Sequence, residues 1–169
     1  FNDAELGLLL EGVLVPLADR VAPQAVVLTC GADALAGDPL CSMALTNVAL
    51  WSAVERLTAL APAAVVLGGG GYNPWTVTRY WTGLWGRLSA RKIPASLPAE
   101  ARAILAWLRS DLVDEEDVRP AWLTTLADAP DEAPPRDEVR VLRNRALAQV
   151  EAGRWRQPAC AAGVDEEPR

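Results

Sequence analysis

The sequence predicts an α/β domain built around a mostly parallel sheet. Helical patterns of apolar residues alternate with two short runs of apolar and β-branched residues, at 25–30 and 64–67. Neither run has a polar side at every second position, which is typical of strands in a parallel sheet. Strands that alternate with helices form βαβ units. We therefore expect two buried strands in an α/β domain.

Five helices and strands are expected in the first 91 residues. In chain order they are helix 4–20, strand 25–30, helix 47–60, strand 64–67 and helix 74–91. The residues that can cap the three helices are Asn2 or Asp3, Thr46 or Asn47, and Asn73 followed by Pro74. The apolar face of the first helix is predicted at Leu6, Leu9, Leu10, Val13, Leu14 and Leu17.

The second half of the chain follows a different pattern. It is predicted to contain a helix at 99–109, an acidic stretch at 111–119, a Pro-rich break at 129–136, a helix at 137–152 and a loose tail at 153–169.

Composition excludes several classes of function. The net charge is −6 and there is no basic stripe, so a nucleic-acid partner is not expected. No apolar run reaches the roughly 20 residues of a membrane span. The opening segment lacks a basic region and is not a signal peptide, and its start at Phe1 looks cut from a longer chain. Cys30, Cys41 and Cys160 form no tidy disulfide set, and they suit a reducing cytoplasm.

The first unusual loop, residues 31–45, follows a predicted strand. Its Asp33 comes directly after that strand, where a carboxylate can bind a divalent metal. Alternatively, Asp33 or Asp38 caps a turn or the following helix, because Asp is common in turns. Cys30 and Cys41 lie on either side of the Asp33 segment and are interpreted as structural, since the chain has no histidine to activate a thiol.

The second unusual loop contains four glycines followed by Tyr72. A phosphate loop is excluded, because no Lys-Ser/Thr pair follows and the glycine spacing of a dinucleotide site is absent. A phenol here can donate a hydrogen bond to a developing oxyanion, or it can be a tyrosine of the core or rim. On the next helix Arg79 can pair with a loop carboxylate, and the tryptophans are expected to pack. Both loops leave the carboxyl ends of parallel strands, where sites of such sheets form.

Together the two loops resemble the second half of histone deacetylase-like proteins, with the bacterial acetoin-utilisation deacetylases most similar. The motifs are CGADALAGDPL (30–40), VVLGGGGYN (65–73) and TRYWT (78–82), and a weaker likeness continues through WLTTLADAP (122–130). The resemblance implies a three-layer α/β sandwich of the arginase and deacetylase type, present here as a partial domain. By that resemblance, 1–98 is the C-terminal half of the catalytic domain, 99–152 a helical extension of it, and 153–169 a flexible tail.

The family's active site holds one Zn²⁺ bound by two Asp and one His. Asp33 matches one of these aspartates, Tyr72 the tyrosine that hydrogen-bonds the substrate carbonyl, and Gly70 and Leu40 the walls of the acyl-lysine channel. Tyr80 stands where the family more commonly has Cys. The other metal ligands, in an Asp-x-Asp-x-His segment, and the catalytic histidines belong upstream of this chain. Asp and His also suit Fe²⁺.

The resemblance implies a cytoplasmic hydrolase that releases acetate from acetyl-lysine or a small acetylated amine. The isolated chain is then expected to be inactive and to need the N-terminal half of the same domain. Two alternatives remain open, a truncated binding or complementation module and an amidohydrolase acting on polyamines.

Overall fold

A computed structural model describes residues 1–154 of the chain. In this part the helices are α1 (Asp3–Leu9), a π-helical turn (Leu10–Leu14), α2 (Val15–Val21), α3 (Asn47–Thr58), α4 (Pro74–Leu88), α5 (Ala99–Trp107), a 3-10 turn (Glu115–Asp117), α6 (Pro120–Thr124) and α7 (Asp137–Glu151). The strands are β1 (Ala25–Thr29) and β2 (Ala63–Leu67). The predicted tail lies almost wholly outside the described residues.

The first predicted helix is continuous but contains the π-helical turn. Asn2 caps it, accepting a hydrogen bond from the backbone N–H of Glu5, whose carboxylate accepts one in return. A π-turn adds a residue to one turn of the helix and rotates the following residues around its axis. Val15 is therefore buried, and Leu14 is 42% exposed. The prediction that Leu14 lies on the apolar face is wrong for this reason.

The two strands pair in parallel, with Val27 opposite Val65. Leu28 and Val66 point to the face of the sheet that packs into the core beneath α3. On the opposite face, Val27 is 65% exposed and Val65 is 52% exposed. The prediction of strands buried on both faces is wrong within residues 1–154, because helices of this part cover only one face.

The main core lies between α3 and α4. Trp51 is 1% exposed, and its indole N–H donates a hydrogen bond of 2.9 Å to the carbonyl oxygen of Tyr80. Gly83 allows this approach, since a Cβ built there would lie 1.9 Å from Cζ2 of Trp51. The two helices therefore meet through a tryptophan that fits against a glycine.

The C-terminal segments dock onto this core through buried polar contacts. Arg79 is 1% exposed; its Nε donates to the carbonyl oxygen of Thr125, and its Nη1 lies 2.7 Å from Oδ1 of Asp128. Asp128 and Asn47 also exchange hydrogen bonds, each accepting from the backbone N–H of the other at 2.9 Å. The loop after α6 is thereby tied to the start of α3 and to α4.

A second polar contact ties α7 to α1. Glu5 is fully buried, and its carboxylate accepts hydrogen bonds from the guanidinium and the backbone N–H of Arg136. These contacts lower the pKa of Glu5 to about 2; the side-chain hydrogen bond from Arg136 is the largest cause, and burial opposes it.

In residues 1–154, no helix combines the length and apolar character that crossing a membrane requires.

Candidate functional site

The two unusual loops meet at the carboxyl ends of β1 and β2. The backbone N–H of Cys30 donates to the carbonyl oxygen of Leu67, and that of Ala32 donates to Gly70 at 2.7 Å. These bonds extend the parallel pairing beyond the strands, so the chain segments after both strands run side by side. The structure therefore confirms that the loops lie together.

Asp33 lies between the glycines of the two loops. A Cβ built on Gly31 would lie 2.3 Å from one carboxylate oxygen of Asp33, and a Cβ on Gly70 would lie 2.4 Å from the other. Any side chain at either position would displace the carboxylate. Asp33 is half-buried, and no cation of residues 1–154 forms an ion pair with it.

Tyr72 and Leu40 are joined through a buried acid. Oδ2 of Asp38 accepts a hydrogen bond of 2.7 Å from the backbone N–H of Tyr72, and Oδ1 accepts one of 2.9 Å from Leu40. Both side chains remain accessible, Tyr72 being 44% and Leu40 63% exposed. The interpretation of Tyr72 as a core tyrosine is therefore wrong, and a position on the rim or facing a ligand fits.

The start of α4 fixes the second loop. The side-chain oxygen of Asn73 accepts from the N–H groups of Trp75 and Thr76, as an N-cap does. Its amide nitrogen donates to the carbonyl oxygen of Gly37 at 2.8 Å. One capping residue thus begins the helix and holds the neighbouring loop.

Within residues 1–154, neither Cys30 nor Cys41 has a histidine beside it that could activate a thiol. Cys30 and Cys41 are half-buried free thiols.

Tyr80 of α4 is completely buried, and its hydroxyl has no hydrogen-bond partner of good geometry in residues 1–154. Burial raises the pKa of Tyr80, and the neighbouring thiol of Cys30 raises it further. The phenol of Tyr80 therefore stays protonated near neutral pH.

Arg79 pairs with a loop carboxylate, as predicted. It pairs with Asp128 in the loop after α6, rather than with an acid of either glycine-rich loop. Trp75 is buried and Trp81 packs edge-on against Tyr80 at 5.1 Å, whereas Trp85 is 74% exposed. Of these three tryptophans of α4, Trp85 alone lies mostly at the surface.

Sequence reasoning missed the role of Asp38 at the site. The sequence predicts a turn cap at Asp38, and the bond that Asp38 accepts from Leu40 is of that kind. Its second bond, to Tyr72, joins residues 34 apart in the chain and gives no local signal.

Residues 1–154 place one carboxylate without an ion pair, that of Asp33, between the two loops. Within residues 1–154, no three His, Cys, Asp or Glu side chains are grouped so that they could hold a metal ion. The carboxylate of Asp33 lies beside two glycines, and it suits a cation that has further ligands from outside these residues.

Comparisons with known proteins agree on one family. The family described as "Histone deacetylase domain" matches residues 1–88. Histone deacetylase 8 of Xenopus laevis is 35% identical over 88 residues, covering 52% of this chain and 27% of that protein. Histone deacetylase 8 of Danio rerio is 37% identical over 76 residues, covering 45% of this chain and 20% of that protein.

Solved structures share the fold. The crystal structure of an HDAC homologue from Aquifex aeolicus superimposes with a TM-score of 0.79 at 32% identity, covering 87% of this chain and 40% of that chain. An HDAC homologue complexed with SAHA gives a TM-score of 0.74 at 31% identity, with the same coverage. The fold is that of an arginase and deacetylase-type α/β domain, seen here in part, and the chain spans about a quarter of the length of the curated relatives it matches. The match of the family over half of the chain, together with these relatives, shows that the chain belongs to the histone deacetylase family.

Proposed function

We propose that the chain is the C-terminal part of a metal-dependent deacetylase that hydrolyses acetyl-lysine or another acetylated amine to acetate and the free amine. One observation carries the proposal. The loops after two parallel strands place Asp33 against Gly70, and a second acid, Asp38, joins Tyr72 to Leu40 at the same edge of the sheet. Family membership and this geometry support the same assignment of residues.

Asp33 would be one of three protein ligands of the metal. Its carboxylate has no cationic partner in residues 1–154 and lies close to Gly31 and Gly70 of the two loops. Zn²⁺ accepts such an oxygen together with nitrogen ligands, and Fe²⁺ accepts the same set. When bound, the metal would supply Lewis-acid polarisation of the amide carbonyl. The remaining Asp and His ligands would come from outside this chain.

Tyr72 would act on the substrate directly. Its exposed phenol can donate a hydrogen bond to the carbonyl oxygen as negative charge develops there, and removing such a donor typically costs about 2.7–4 kcal/mol of barrier. Gly70 and the exposed Leu40 would line the channel for the acyl-lysine side chain. An aliphatic wall suits the methylene stem of lysine, because that stem gains from leaving water.

The side chain that most often transfers protons near neutral pH, histidine, is absent from this chain. Amide hydrolysis requires a base to take a proton from water and an acid to protonate the leaving amine. The sequence contains no histidine, and the buried phenol of Tyr80 has a raised pKa that keeps it from acting as a base. We therefore expect the isolated chain to be catalytically inactive.

The test is deacetylation of a fluorogenic acetyl-lysine peptide by the full-length protein that contains this chain, with added Zn²⁺. Asp33→Ala should abolish turnover and bound metal, whereas Tyr72→Phe should reduce turnover roughly 100-fold or more and keep the metal. Asp19→Ala, an exposed acid of α2, is the control that should change neither. Unchanged turnover in both site variants would refute the assigned roles. An acetylated polyamine assayed alongside would show which amine class is preferred.

A binding or complementation module is the second candidate, and the uncovered face of the sheet favours it. Val27, Val65 and Leu67 are each more than 45% exposed on one face, so a partner could cover them. The chain mixed with the N-terminal part of a related deacetylase domain should form a 1:1 complex by analytical ultracentrifugation. Turnover by that complex supports the first proposal, and a stable complex without turnover supports the module.

A further inference from the structure

A single buried carboxylate joins the two loops of the site. Asp38 is 5% exposed, and its two oxygens accept backbone hydrogen bonds from opposite loops, from Leu40 at 2.9 Å and from Tyr72 at 2.7 Å. Hydrogen bonds from N–H groups to an ionised carboxylate are short and roughly twice as strong as neutral ones. Asp38 therefore ties the backbone of Tyr72 to the first loop, in addition to the bonds from Ala32 to Gly70 and from Asn73 to Gly37.

Other contacts hold Asp38 in this position. The backbone N–H of Asp38 donates to the carbonyl oxygen of Leu35 at 3.1 Å. The preceding Gly37 has a φ of +94° and lies against Trp122, where a Cβ would be 2.6 Å from the indole ring. Asn73 donates to the carbonyl oxygen of Gly37. Asp38 is thus braced from its own loop, from α6 and from the cap of α4.

A turn cap alone does not require this arrangement. The bond to Leu40 is an ordinary Asx turn, for which one acceptor oxygen is enough. The second oxygen reaches the residue that carries the phenol of the proposed reaction. Only a carboxylate provides acceptors on both sides, because an amide of the same shape has a donor in place of one oxygen.

We propose that Asp38 is a positioning residue for the proposed deacetylation. It holds the backbone of Tyr72 so that the phenol meets the carbonyl oxygen of the substrate. Through its other oxygen it holds the backbone of Leu40, which lines the proposed channel. This inference rests on the proposed function. If Asp38 has this role, its replacement lowers kcat because Tyr72 is misplaced, and raises KM because Leu40 is misplaced. A misplacement of about 1 Å at a reacting group can cost on the order of 100-fold in rate.

A double-mutant cycle in the full-length protein tests the coupling to Tyr72. Asp38→Asn keeps the turn cap and removes one acceptor, so kcat should fall roughly 10- to 100-fold in the wild-type background. In the Tyr72→Phe background the same change should lower kcat by less than about 3-fold, since the donor it positions is already absent. Equal factors in both backgrounds, within the roughly 2-fold scatter of independent sites, would overturn the inference.

A second variant covers the possibility that Asp38→Asn does not fold. Asp38→Glu keeps both acceptor oxygens on a longer stem, so it should retain a higher kcat than Asp38→Asn. If Asp38→Asn is unfolded, Asp38→Glu takes its place in the double-mutant cycle with Tyr72→Phe. Asp19→Asn, the same change at an exposed acid, is the matched control and should behave as wild type.

Amide hydrogen exchange gives a readout that is independent of turnover. In Asp38→Asn the N–H of Tyr72 should exchange at least about 10-fold faster, whereas core amides of α3 keep their wild-type rates. Uniformly faster exchange would show a general loss of stability and overturn the positioning role. The two proposals fail in different ways. If the wild-type full-length protein shows no turnover, the proposed function is refuted. If the wild type turns over substrate and Asp38→Asn has the same kcat, only the role of Asp38 is refuted.

Discussion

Replacing Gly83 by Ala should force α3 and α4 apart. A Cβ at this position would lie 1.9 Å from Cζ2 and 2.4 Å from Cη2 of Trp51. Carbon atoms in contact are normally about 3.5–4.0 Å apart, so the indole would have to move by roughly 2 Å. Trp51 is 1% exposed and hydrogen-bonded to the backbone of α4, which leaves it no free space.

The expected loss of stability combines three contributions. Overpacking of a filled core costs about 1–3 kcal/mol. Losing the hydrogen bond from Trp51 to the carbonyl oxygen of Tyr80 costs about 1 kcal/mol more. Alanine inside a helix gains about 0.5–1 kcal/mol over glycine, which offsets part of this. We expect a net destabilisation of about 1–3 kcal/mol for Gly83→Ala.

Urea unfolding followed by far-UV circular dichroism measures this change, with Gly7→Ala as the matched control. A Cβ at Gly7 of α1 would meet nothing within 4 Å, so there the same substitution should stabilise by about 0.5–1 kcal/mol. The two variants should therefore shift the unfolding midpoint in opposite directions. A Gly83→Ala protein as stable as the Gly7→Ala protein would refute the argument.

Two further predictions concern the buried polar contacts. Asp128→Ala leaves the buried guanidinium of Arg79 without its carboxylate and should destabilise by about 2–4 kcal/mol in urea unfolding. Glu11→Ala, which breaks an exposed pair, should cost less than about 1 kcal/mol, and equal losses would contradict the reasoning. The pKa of Glu5 is lowered from its ordinary value of 4.5 to about 2, chiefly by Arg136, so its stabilising contribution is present above pH 4.5 and is lost as the pH falls toward 2. Unfolding midpoints measured between pH 2 and 6 should therefore fall more steeply in the wild type than in Glu5→Gln, and identical slopes would exclude this role.

The parts of the fold that depend on local chemistry could be predicted from the sequence. Thr46 and Asn73 cap α3 and α4 as expected, because a capping side chain bonds to N–H groups two or three residues away. The meeting of the two glycine-rich loops was also predictable, since the carboxyl ends of parallel strands share one edge of a sheet. Asp33 beside Gly70 follows from that rule.

The rest depends on contacts between distant residues or on what covers a surface. The pairing of Asp128 with Asn47 and Arg79 joins positions that share no pattern in the sequence. The π-turn depends on packing that no propensity scale describes. The exposed face of the strands was mispredicted, because an apolar run shows only that a strand can be covered and not that this chain supplies the cover.

The pairing of Arg79 with Asp128 also has a consequence for synthesis of the chain on the ribosome. These residues lie 49 positions apart, so at about 5–20 residues per second the guanidinium waits roughly 2–10 s for its carboxylate. During that interval α4 carries a cation at a position that is buried in the finished fold. The strands and the two loops of the site therefore emerge first, and the carboxylate that pairs with Arg79 is made only when residues 1–128 are complete. A translational pause before Asp128 would prolong the period in which the apolar surface of α4 is open to chaperones or to aggregation.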